Sequence, residues 1–330
     1  MLSQDYSSIE LFAGAGGLAL GLEAAGIHPA LLVENNKDAC NTLRHNRPEW
    51  RVRQQDVTKV DYKGYRPHVV TGGFPCQPFS LIGQRNGERD PRGLLFFEML
   101  RCIDETRPAL FLAENVPGLL SQDGGNTMMA IVSAFRQLGY QVDYRLLNAV
   151  DYEVPQSRKR LFIMGTCHDN AVFQWPKPAP VCHLLNYALQ DVPWSTGFTY
   201  SNTKADLLSQ VPEGKHWTSL DPETQQQYLG PLWNATGTGS TGILRRLSRF
   251  KPSLTLLTSP YGKKTERCHP LETRPLSVRE YARIQTFPDD YVFTGSDSSQ
   301  YKQIGNAVPV NLAKALGHSI VNYLNEVNHG

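Results

Sequence analysis

The chain has 330 residues, of which 40% are hydrophobic, and its 33 basic and 31 acidic side chains leave a net charge of +2. This composition favours a folded protein with a sizeable core, and so small a net charge does not by itself indicate a nucleic-acid partner. The six cysteines form no C-x-x-C pair, and neither a signal segment nor a membrane-spanning run is evident. We therefore expect a soluble cytoplasmic protein with free thiols and no metal site.

The first predicted strand, Ser8 to Phe12, ends in a run of small residues that leads into a helix from Leu18 to Ala25, closed by Gly26. Backbone N–H groups at such a turn can approach a ligand closely, and the N-terminus of the helix attracts anionic groups. The spacing Gly14-x-Gly16-x-x-Ala19 also fits the loose dinucleotide pattern. A nicotinamide-dependent oxidoreductase is therefore one alternative.

Acidic residues follow the next two predicted strands. The strand Leu31 to Val33 ends at Glu34, and the strand Val52 to Gln55 ends at Asp56. The first carboxylate can accept hydrogen bonds from both ribose hydroxyls of an adenosyl ligand, and the second is placed to reach an adenine amino group. Either acid alone fits a solvated strand end, but two in succession behind a glycine turn favour a nucleoside pocket.

A further strand at Val69-Val70 runs into the loop Thr71 to Ser80, which holds two glycines, two prolines and one thiol, Cys76. The glycines permit a sharp turn and the prolines stiffen the loop. A thiol in a loop after a strand is where an α/β protein places a reacting group, although a buried, inert cysteine is the alternative. The stretch from Gly83 to Gly93 is polar, rich in charge and contains glycines, which is typical of a mobile lid, here residues 80–93, or of an ordinary surface loop.

Helical periodicity predicts a helix from Leu94 to Thr106, and the apolar run Ala109 to Ala113 predicts a parallel strand buried on both faces. This strand ends at Glu114. Burial there would raise the pKa of the carboxyl group and let it hold a proton, unless the side chain only caps the next turn. A helix from Met128 to Leu138 follows, with the Met128-Met129 pair predicted to lie in the core.

Strands are predicted at Tyr144 to Leu147 and at Leu161 to Gly165, and a basic stretch lies between them. Because alternate residues of an extended chain point the same way, Gln156, Arg158 and Arg160 should share a face. The arginines there would hold a carbonyl oxygen or a phosphate, or would simply form a solvated basic turn.

Strand–helix alternation ends near Phe173, and residues 175–260 are rich in proline, glycine, serine and threonine, which indicates a second, irregular domain. From Thr236 to Lys264 there is no acidic residue, and the segment 237–242 carries small hydroxyls between glycines. Basic residues suit phosphates and small polar loops suit base edges, although a solvated positive face is equally consistent. Beyond it, Ser277 and Glu280 predict a capping box. Apolar residues at helical spacing predict a last helix packed on the first domain, namely Ala313, Leu316, Ile320 and Leu324.

Taken together, six segments resemble, in the family's motif order from Ile9 to about Val310, the DNA (cytosine-5)-methyltransferases of bacterial restriction–modification systems. The matching segments are Glu10-Leu11-Phe12-x-Gly14-x-Gly16-Gly17, Gly73-Phe74-Pro75-Cys76-Gln77, Glu114-Asn115-Val116, Gln156-x-Arg158-x-Arg160, Arg274 to Glu280, and Gly305-Asn306-Ala307-Val308-Pro309. The resemblance implies an α/β fold with a Rossmann-like class I S-adenosylmethionine-dependent methyltransferase domain, with a mainly parallel sheet and helices on both faces. This catalytic domain would comprise residues 1–189 and 290–330, and a smaller, irregular target-recognition domain would comprise 190–289.

The implied reaction transfers a methyl group from S-adenosylmethionine to C5 of a cytosine that is flipped out of a specific short duplex sequence, and it leaves S-adenosylhomocysteine. By resemblance, Cys76 would attack C6 and form a covalent intermediate, and Glu114 would bind N3 and the exocyclic amine. Arg158 would steady the cytosine O2, and Arg160 would orient the loop or Glu114. The sequence does not identify the base that removes the C5 proton.

The resemblance also implies two sets of contacts. Expected cofactor contacts are Phe12, Ala13, Gly14, Gly16, Gly17, Leu18, Glu34, Asn35, Asp56, Val57, Pro75, Asn306, Ala307 and Val308. Expected DNA contacts are Gln77, Ser80, Gln156, Thr238, Ser240, Thr241, Arg245, Arg246, Thr255 and Leu256. Within the recognition domain only Thr255-Leu256 matches a recurrent dipeptide of the family.

The expected partners are double-stranded DNA and, functionally, a cognate restriction endonuclease, with no membrane and a monomeric state. The lack of an added regulatory domain favours a bacterial or phage enzyme. A tRNA cytosine-5 methyltransferase on the same scaffold is the nearest alternative. A DNA-binding protein without catalysis is disfavoured by the intact Cys76, Glu114 and Arg158, and the oxidoreductase interpretation accounts for none of these three motifs.

Overall fold

The computed structural model describes residues 5–74, 94–168, 171–229, 242–262 and 266–329. Its centre is a seven-stranded sheet made of β1 (Tyr6–Leu11), β2 (Ile27–Glu34), β3 (Val52–Gln54), β4 (Val69–Gly72), β5 (Leu110–Asn115), β6 (Gln141–Asn148) and β8 (Lys159–Thr166). Two short strands, β7 (Gln156–Ser157) and β9 (Ser253–Leu254), form a separate parallel pair.

Helices cover both faces of the sheet and extend into the second half of the chain. In the described ranges they are α1 (Gly17–Ala24), α2 (Lys37–Asn46), α3 (Leu94–Thr106), α4 (Asn126–Gln137), α5 (Leu185–Leu189), α6 (Asn202–Ser209), α7 (Pro222–Leu229), α8 (Val278–Ile284), α9 (Asp297–Asn306) and α10 (Val310–His329). The observed bounds of α3 are those predicted from the sequence, Leu94 to Thr106. The other predicted strands and helices up to residue 166 are present, with ends that differ by a few residues.

The strand order is β3-β2-β1-β4-β5-β8-β6. Strands β1 to β5 run parallel, whereas β8 is antiparallel to both β5 and β6. The buried run at β5 therefore has one parallel and one antiparallel neighbour, which refines the expectation of a purely parallel strand. Because the chain moves outward from β1 in one direction and then returns to β4 on its other side, the carboxyl ends of β1 and β4 form the crevice where open α/β sheets bind ligands.

Alternating side chains of the strands enter two apolar layers. Ile9 and Phe111 pack with α3 and α4 on one face, whereas Leu112 packs with α1 and α10 on the other. The last helix thus packs on the first domain, as its periodicity predicts. The prediction for the methionine pair is only half right, since Met128 is buried but Met129 is 71% exposed and points away from α4's apolar stripe.

The second half of the chain has a small apolar core of its own, which includes Leu208, Trp217 and Leu244. By contrast, Leu256 and the residues of α8 belong to a cluster that includes Ala19 of α1. Apolar contacts of the predicted recognition domain, 190–289, therefore extend into the catalytic sheet, and the division at 190 and 289 stays a prediction.

Local signals for helix ends are confirmed where the structure describes them. Gly26 follows α1 with φ +95°, the left-handed conformation that favours glycine after a helix. Ser277 and Glu280 form the predicted reciprocal capping box at α8. Over the described ranges, none of the helices has the length and apolar character needed to span a bilayer.

Candidate active site

A cavity of about 500 Å³ opens at the carboxyl ends of β1, β2, β4 and β5, in the size range typical of small-molecule sites. Its walls come from the turn after β1, the end of β2, the end of β5, the start of β8 and α9. The lining residues include Glu10, Phe12, Ala13, Gly14, Gly17, Leu18, Glu34, Asn35, Gly73, Glu114, Arg158, Arg160, Lys302, Asn306, Ala307 and Val308.

Most of the predicted cofactor contacts meet at this cavity. Ten of them line it, namely Phe12, Ala13, Gly14, Gly17, Leu18, Glu34, Asn35, Asn306, Ala307 and Val308. Gly16, Asp56 and Val57 are described but do not line it. Pro75 lies outside the described residues.

The turn after β1 has three residues in the left-handed backbone region, which glycine adopts at the lowest cost. Gly14 and Gly16 have φ of +54° and +80°, and Phe12 also adopts a positive φ, +58°. A Cβ atom at Gly17 would lie 2.3 Å from the Val308 carbonyl oxygen, so α1 can pack against the C-terminal segment only with glycine there. Gly16 thus shapes the turn without lining the cavity.

Glu34 is fixed at the end of β2 by two backbone donors. The amide of Gly14 donates to Oε2 at 2.8 Å and the amide of Asn36 donates to Oε1 at 2.8 Å. Each carboxylate oxygen keeps a further acceptor site toward the cavity.

Asp56 caps a local turn outside the cavity. Its Oδ1 accepts hydrogen bonds from the amide and the hydroxyl of Thr58, which caps the short 3₁₀ turn Val57–Lys59. The side chain is exposed and lies outside the cavity lining. A contact between Asp56 and an adenine amino group therefore stays a prediction.

Glu10 is a cavity residue that the sequence analysis did not single out as a contact. It is 3% exposed, and among the described residues its Oε2 has no hydrogen-bond partner. Burial, with a smaller contribution from the nearby Glu34, raises the pKa of Glu10 to about 8. The available signal was a lone acid between Ile9 and Leu11 in a strand that leads into a glycine turn, because a buried carboxyl group without a partner is costly unless a ligand supplies one.

Glu114 and Arg160 form an ion pair at the end of β5. Arg160 Nε lies 2.9 Å from Glu114 Oε1, and the two side chains are 14% and 15% exposed. Burial raises the pKa of Glu114, and the charges of Arg160 and Arg158 oppose this effect only in part. The sequence expectation of a carboxyl group with a raised pKa at this strand end is consistent with this direction.

The chain enters the predicted nucleophile loop directly beside Glu114. A Cβ atom at Gly73 would lie 3.1 Å from Glu114 Oε2, so glycine keeps the approach open. Asn115 Nδ2 donates to the Phe74 carbonyl oxygen at 2.9 Å and so fixes the last described residue of the loop before Cys76. Cys76, Gln77, Ser80 and the predicted lid lie outside the described residues.

Arg158 differs from its expected role. Its side chain is 1% exposed, and its terminal nitrogens donate to the carbonyl oxygens of Leu256 at 3.0 Å and Gly305 at 2.9 Å. Only Nε has no partner among the described residues. A guanidinium whose two ends are bound within the protein braces two segments, and it is poorly placed to give a bidentate contact to a base.

The shared face predicted for the arginine motif is consistent with burial, since Gln156 and Arg158 are buried and Arg160 is half-buried, whereas Ser157 and Lys159 are exposed. Gln156 is nevertheless bonded to Gln285 and to the amide of Leu256 rather than to the surface. Leu256 is fully buried. Neither residue offers its side chain to DNA in this structure.

Three further predicted DNA contacts in the recognition domain, Arg245, Arg246 and Thr255, lie in the described ranges and differ in burial. Arg246 is 5% exposed and donates to five acceptors within the chain, so it holds the domain together rather than facing a phosphate. Arg245 and Thr255 are half-buried, and Thr255 donates to the Ser157 carbonyl oxygen. Thr238, Ser240 and Thr241 lie outside the described residues.

Comparison with known proteins identifies the family. Residues 6–322 match the family model for C-5 cytosine-specific DNA methylases. The type II methyltransferase M.Eco47II of Escherichia coli is 50% identical over 98% of this chain and 80% of its own, and M.HhaI of Haemophilus parahaemolyticus is 33% identical over 96% and 94%.

Solved structures show the same fold. The crystal structure of a prophage-encoded Escherichia coli protein superposes with a TM-score of 0.72 at 24% identity, covering 97% of this chain and 99% of that one. The Entamoeba histolytica methyltransferase EhMeth superposes with a TM-score of 0.69 at 16% identity, covering 97% and 99%. With a family model that spans nearly its whole length, this chain belongs to the C-5 cytosine-specific DNA methylases.

Proposed function

We propose that this protein methylates C5 of a cytosine within one specific short sequence of duplex DNA, and that it does so through a covalent bond between Cys76 and the flipped base. The family performs cytosine C5 methylation with S-adenosylmethionine, and the relatives named above are type II methyltransferases. The observation that carries the proposal is the Glu114–Arg160 pair beside Gly73, where the nucleophile loop begins.

The cavity residues fit S-adenosylmethionine. The buried, unpartnered Glu10 oxygen suits the ammonium of an amino acid, and the Glu34 carboxylate suits the two ribose hydroxyls. The tight contact between Gly17 and Val308 closes the wall around a small ligand. When bound, the cofactor supplies an activated methyl group on a sulfonium.

Cys76 would act as the nucleophile toward cytosine C6. Attack by its thiolate breaks the aromaticity of the ring and makes C5 enamine-like, the general gain from covalent catalysis. Loss of the C5 proton and expulsion of the thiolate restore the ring after methylation.

Glu114 would hold a proton on the target base. Its raised pKa favours the protonated form, which can donate to N3 while the other oxygen accepts from the exocyclic amine. Negative charge then does not accumulate on the ring as the sulfur–carbon bond forms.

Of the two arginines, Arg160 is the better candidate for the cytosine O2. It already pairs with Glu114 through Nε and donates from Nη1 to the Lys159 carbonyl oxygen, and its Nη2 has no partner among the described residues. Arg158 is bound at both ends and would act by bracing the site. This assignment replaces the one that the sequence alone suggested.

The target base must leave the stacked duplex to reach the cavity, which costs a few kcal/mol. We propose that residues 237–242 and 245–256 contribute to sequence recognition. We also propose that the protein acts as a monomer, in the cytoplasm of a bacterium or of a phage host. A cognate endonuclease would cleave the same site when it is unmethylated.

Bisulfite sequencing of a plasmid propagated with the expressed gene tests the proposal. A single recurring sequence with protected cytosines is the expected result. An active enzyme should also form a denaturation-resistant adduct with duplex DNA that carries 5-fluorocytosine at that site. Cys76→Ala should form none, whereas Cys167→Ala, at an exposed cysteine remote from the cavity lining, should form it normally.

Adduct formation with tRNA but not with duplex DNA would show that the substrate is tRNA and not DNA. Active enzyme that forms no adduct with either substrate would contradict the covalent mechanism.

A further inference from the structure

Buried side chains connect a segment of the recognition domain to one wall of the cofactor cavity. We call residues 253–258 the recognition segment and residues 304–308 the cavity wall. Asn306, Ala307 and Val308 of the wall line the cavity, whereas no residue of the recognition segment does. An effect of a cavity ligand on the recognition segment would therefore pass through side chains that link the two.

The first bridge consists of two fully buried glutamines. Gln156 Oε1 accepts from the Leu256 amide at 2.8 Å, and Gln156 Nε2 donates to Gln285 Oε1 at 2.8 Å. Gln285 Nε2 then donates to the carbonyl oxygens of Ile304 at 2.8 Å and Ala307 at 3.1 Å. Because an amide N–H stands at one end and carbonyl oxygens at the other, both side-chain amides can be oriented in only one way.

The second bridge is Arg158, which donates to the Leu256 carbonyl oxygen and to the Gly305 carbonyl oxygen. The backbones also touch directly, since a Cβ atom at Gly305 would lie only 2.1 Å from the Leu257 carbonyl oxygen. The Leu256 amide is thus linked to the cavity wall through Gln156 and Gln285 in series, and the Leu256 carbonyl oxygen is linked to it through Arg158.

We propose that Gln156 and Gln285 are positioning residues that couple cofactor binding to DNA binding, an inference that rests on the proposed function. A ligand that orders the cavity wall also orders Leu256 through these bonds. DNA then meets a recognition segment that is already held in place, and its affinity rises. By linkage, DNA must strengthen cofactor binding by the same factor.

Hydrogen–deuterium exchange on the unmodified protein gives the first test. Adding S-adenosylhomocysteine alone should slow exchange in a peptide that covers residues 254–258, as well as in peptides from the cavity itself. Peptides from α6, which lies in the separate apolar core of the recognition domain, should be unchanged. Protection of the cavity peptides without any protection at 254–258 would overturn the proposal.

The second test measures coupling in variants. The dissociation constant of S-adenosylhomocysteine is determined with and without a saturating duplex that carries the site mapped by bisulfite sequencing. We expect the duplex to tighten binding by about fivefold or more in the unmodified protein. Gln156→Met and Gln285→Met should each reduce this factor by about twofold or more, while the Arg158 bridge keeps the remainder, and the double variant should lose no more than either single one, because the two glutamines form one bridge.

Gln225→Met is the matched control. Gln225 also donates from its amide to a backbone carbonyl oxygen, that of Leu220, but within the recognition domain and away from the bridge. It should keep the coupling of the unmodified protein. A role in folding alone would lower melting temperatures of the bridge variants yet leave the ratio of the two dissociation constants unchanged, and that result would also refute the proposal.

These outcomes are separable from failure of the proposed function. If the unmodified protein neither binds S-adenosylhomocysteine nor methylates DNA, the proposed function is wrong. If it does both and the bridge variants retain their coupling, only the present inference is wrong. Where a bridge variant does not fold, the exchange measurement on the unmodified protein decides.

Discussion

The catalytic sheet and the recognition domain use their charged side chains in opposite ways. At the sheet, Glu34 and Glu114 extend from strand ends into a shared cavity. In the recognition domain, the charged groups of Arg246 and Arg267 are turned inward and bind backbone carbonyl oxygens. In a sheet, the backbone groups bond to each other, so side chains at the strand ends are left to bind ligands. A domain with little regular structure instead uses buried cations to bind the backbone carbonyl oxygens of its loops.

The largest effect that this contrast predicts is at Glu114. Glu114→Gln keeps the size of the side chain but cannot supply an acidic proton to the base, so kcat should fall by roughly 10²- to 10⁴-fold. Affinity for S-adenosylhomocysteine should stay within about twofold, because the change lies in the chemical step. Single-turnover methylation and equilibrium binding measure the two quantities.

The exposed Glu49 provides the control, and Glu49→Gln should leave both quantities unchanged. Since burial raises the pKa of Glu114, the methylation rate should also decrease as the pH rises through that raised value. An unchanged kcat in Glu114→Gln would remove Glu114 from the mechanism.

In the recognition domain, the largest effect should be on stability. Arg246→Met leaves five acceptors without their donor, three of them in buried hydrogen bonds, namely the carbonyl oxygens of Leu208, Val211 and His269, and should lower the free energy of unfolding by about 3 kcal/mol or more. The exposed Lys251 is the matched cation, and Lys251→Met should change stability by less than about 0.5 kcal/mol. Chemical denaturation of both variants measures this difference.

The same two variants distinguish a residue that stabilises the domain from a residue that contacts DNA. If Lys251 meets a phosphate, Lys251→Met should reduce the slope of log binding constant against log salt by about one, whereas folded Arg246→Met should keep the slope. The reverse pattern, with a stable Arg246→Met that loses salt dependence, would show that Arg246 faces DNA after all.

The sequence predicts the catalytic half well because its signals are local. Hydrophobic runs mark the strands, and glycines and acids at their ends mark the cavity. The pairing of Arg160 with Glu114 agrees with the role that the resemblance implied for Arg160. Which of the two arginines is left free to meet the base was not predictable, because alternation puts Arg158 and Arg160 on the same face. It depends on the bonds of Arg158 to Leu256 and Gly305, which lie 98 and 147 residues away along the chain.

The recognition domain was predicted less well for a related reason. Composition shows that the segment from Thr236 to Lys264 is basic, but the acceptors that bury Arg246 lie in other segments, between residues 208 and 273. The antiparallel direction of β8 likewise depends on its neighbours in the sheet. Patterns within one segment carry no information about such partners.

A further prediction concerns the pH dependence of stability at Glu10. Its folded pKa of about 8 lies above the ordinary value of 4.5, so the folded protein holds a proton that the unfolded chain has lost between these values. The free energy of unfolding should therefore fall as the pH rises through this window, by a few kcal/mol at most. Glu10→Gln removes this decline, and thermal melting across the window measures it.

Ligand binding at Glu10 should show the opposite trend. An ammonium group pairs with the ionised carboxylate, so affinity for S-adenosylhomocysteine should rise with pH up to about 8, by at most about tenfold per unit. Glu10→Gln should bind weakly and without this dependence. Equal pH profiles in the variant and the unmodified protein would show that Glu10 does not meet the ligand.

The smallest expected effect distinguishes the two strand-end acids of the nucleoside pocket. Glu34 lines the cavity, whereas Asp56 caps the turn at Thr58 from outside it. Glu34→Gln should therefore weaken S-adenosylhomocysteine binding by about tenfold, as expected for losing about 1.4 kcal/mol of charged hydrogen bonding. Asp56→Asn keeps the cap and should change affinity by less than about twofold. Calorimetric titration of both variants with S-adenosylhomocysteine compares the two affinities directly. An equal loss of affinity would mean that Asp56 reaches the adenine when the ligand is bound, as the sequence suggested.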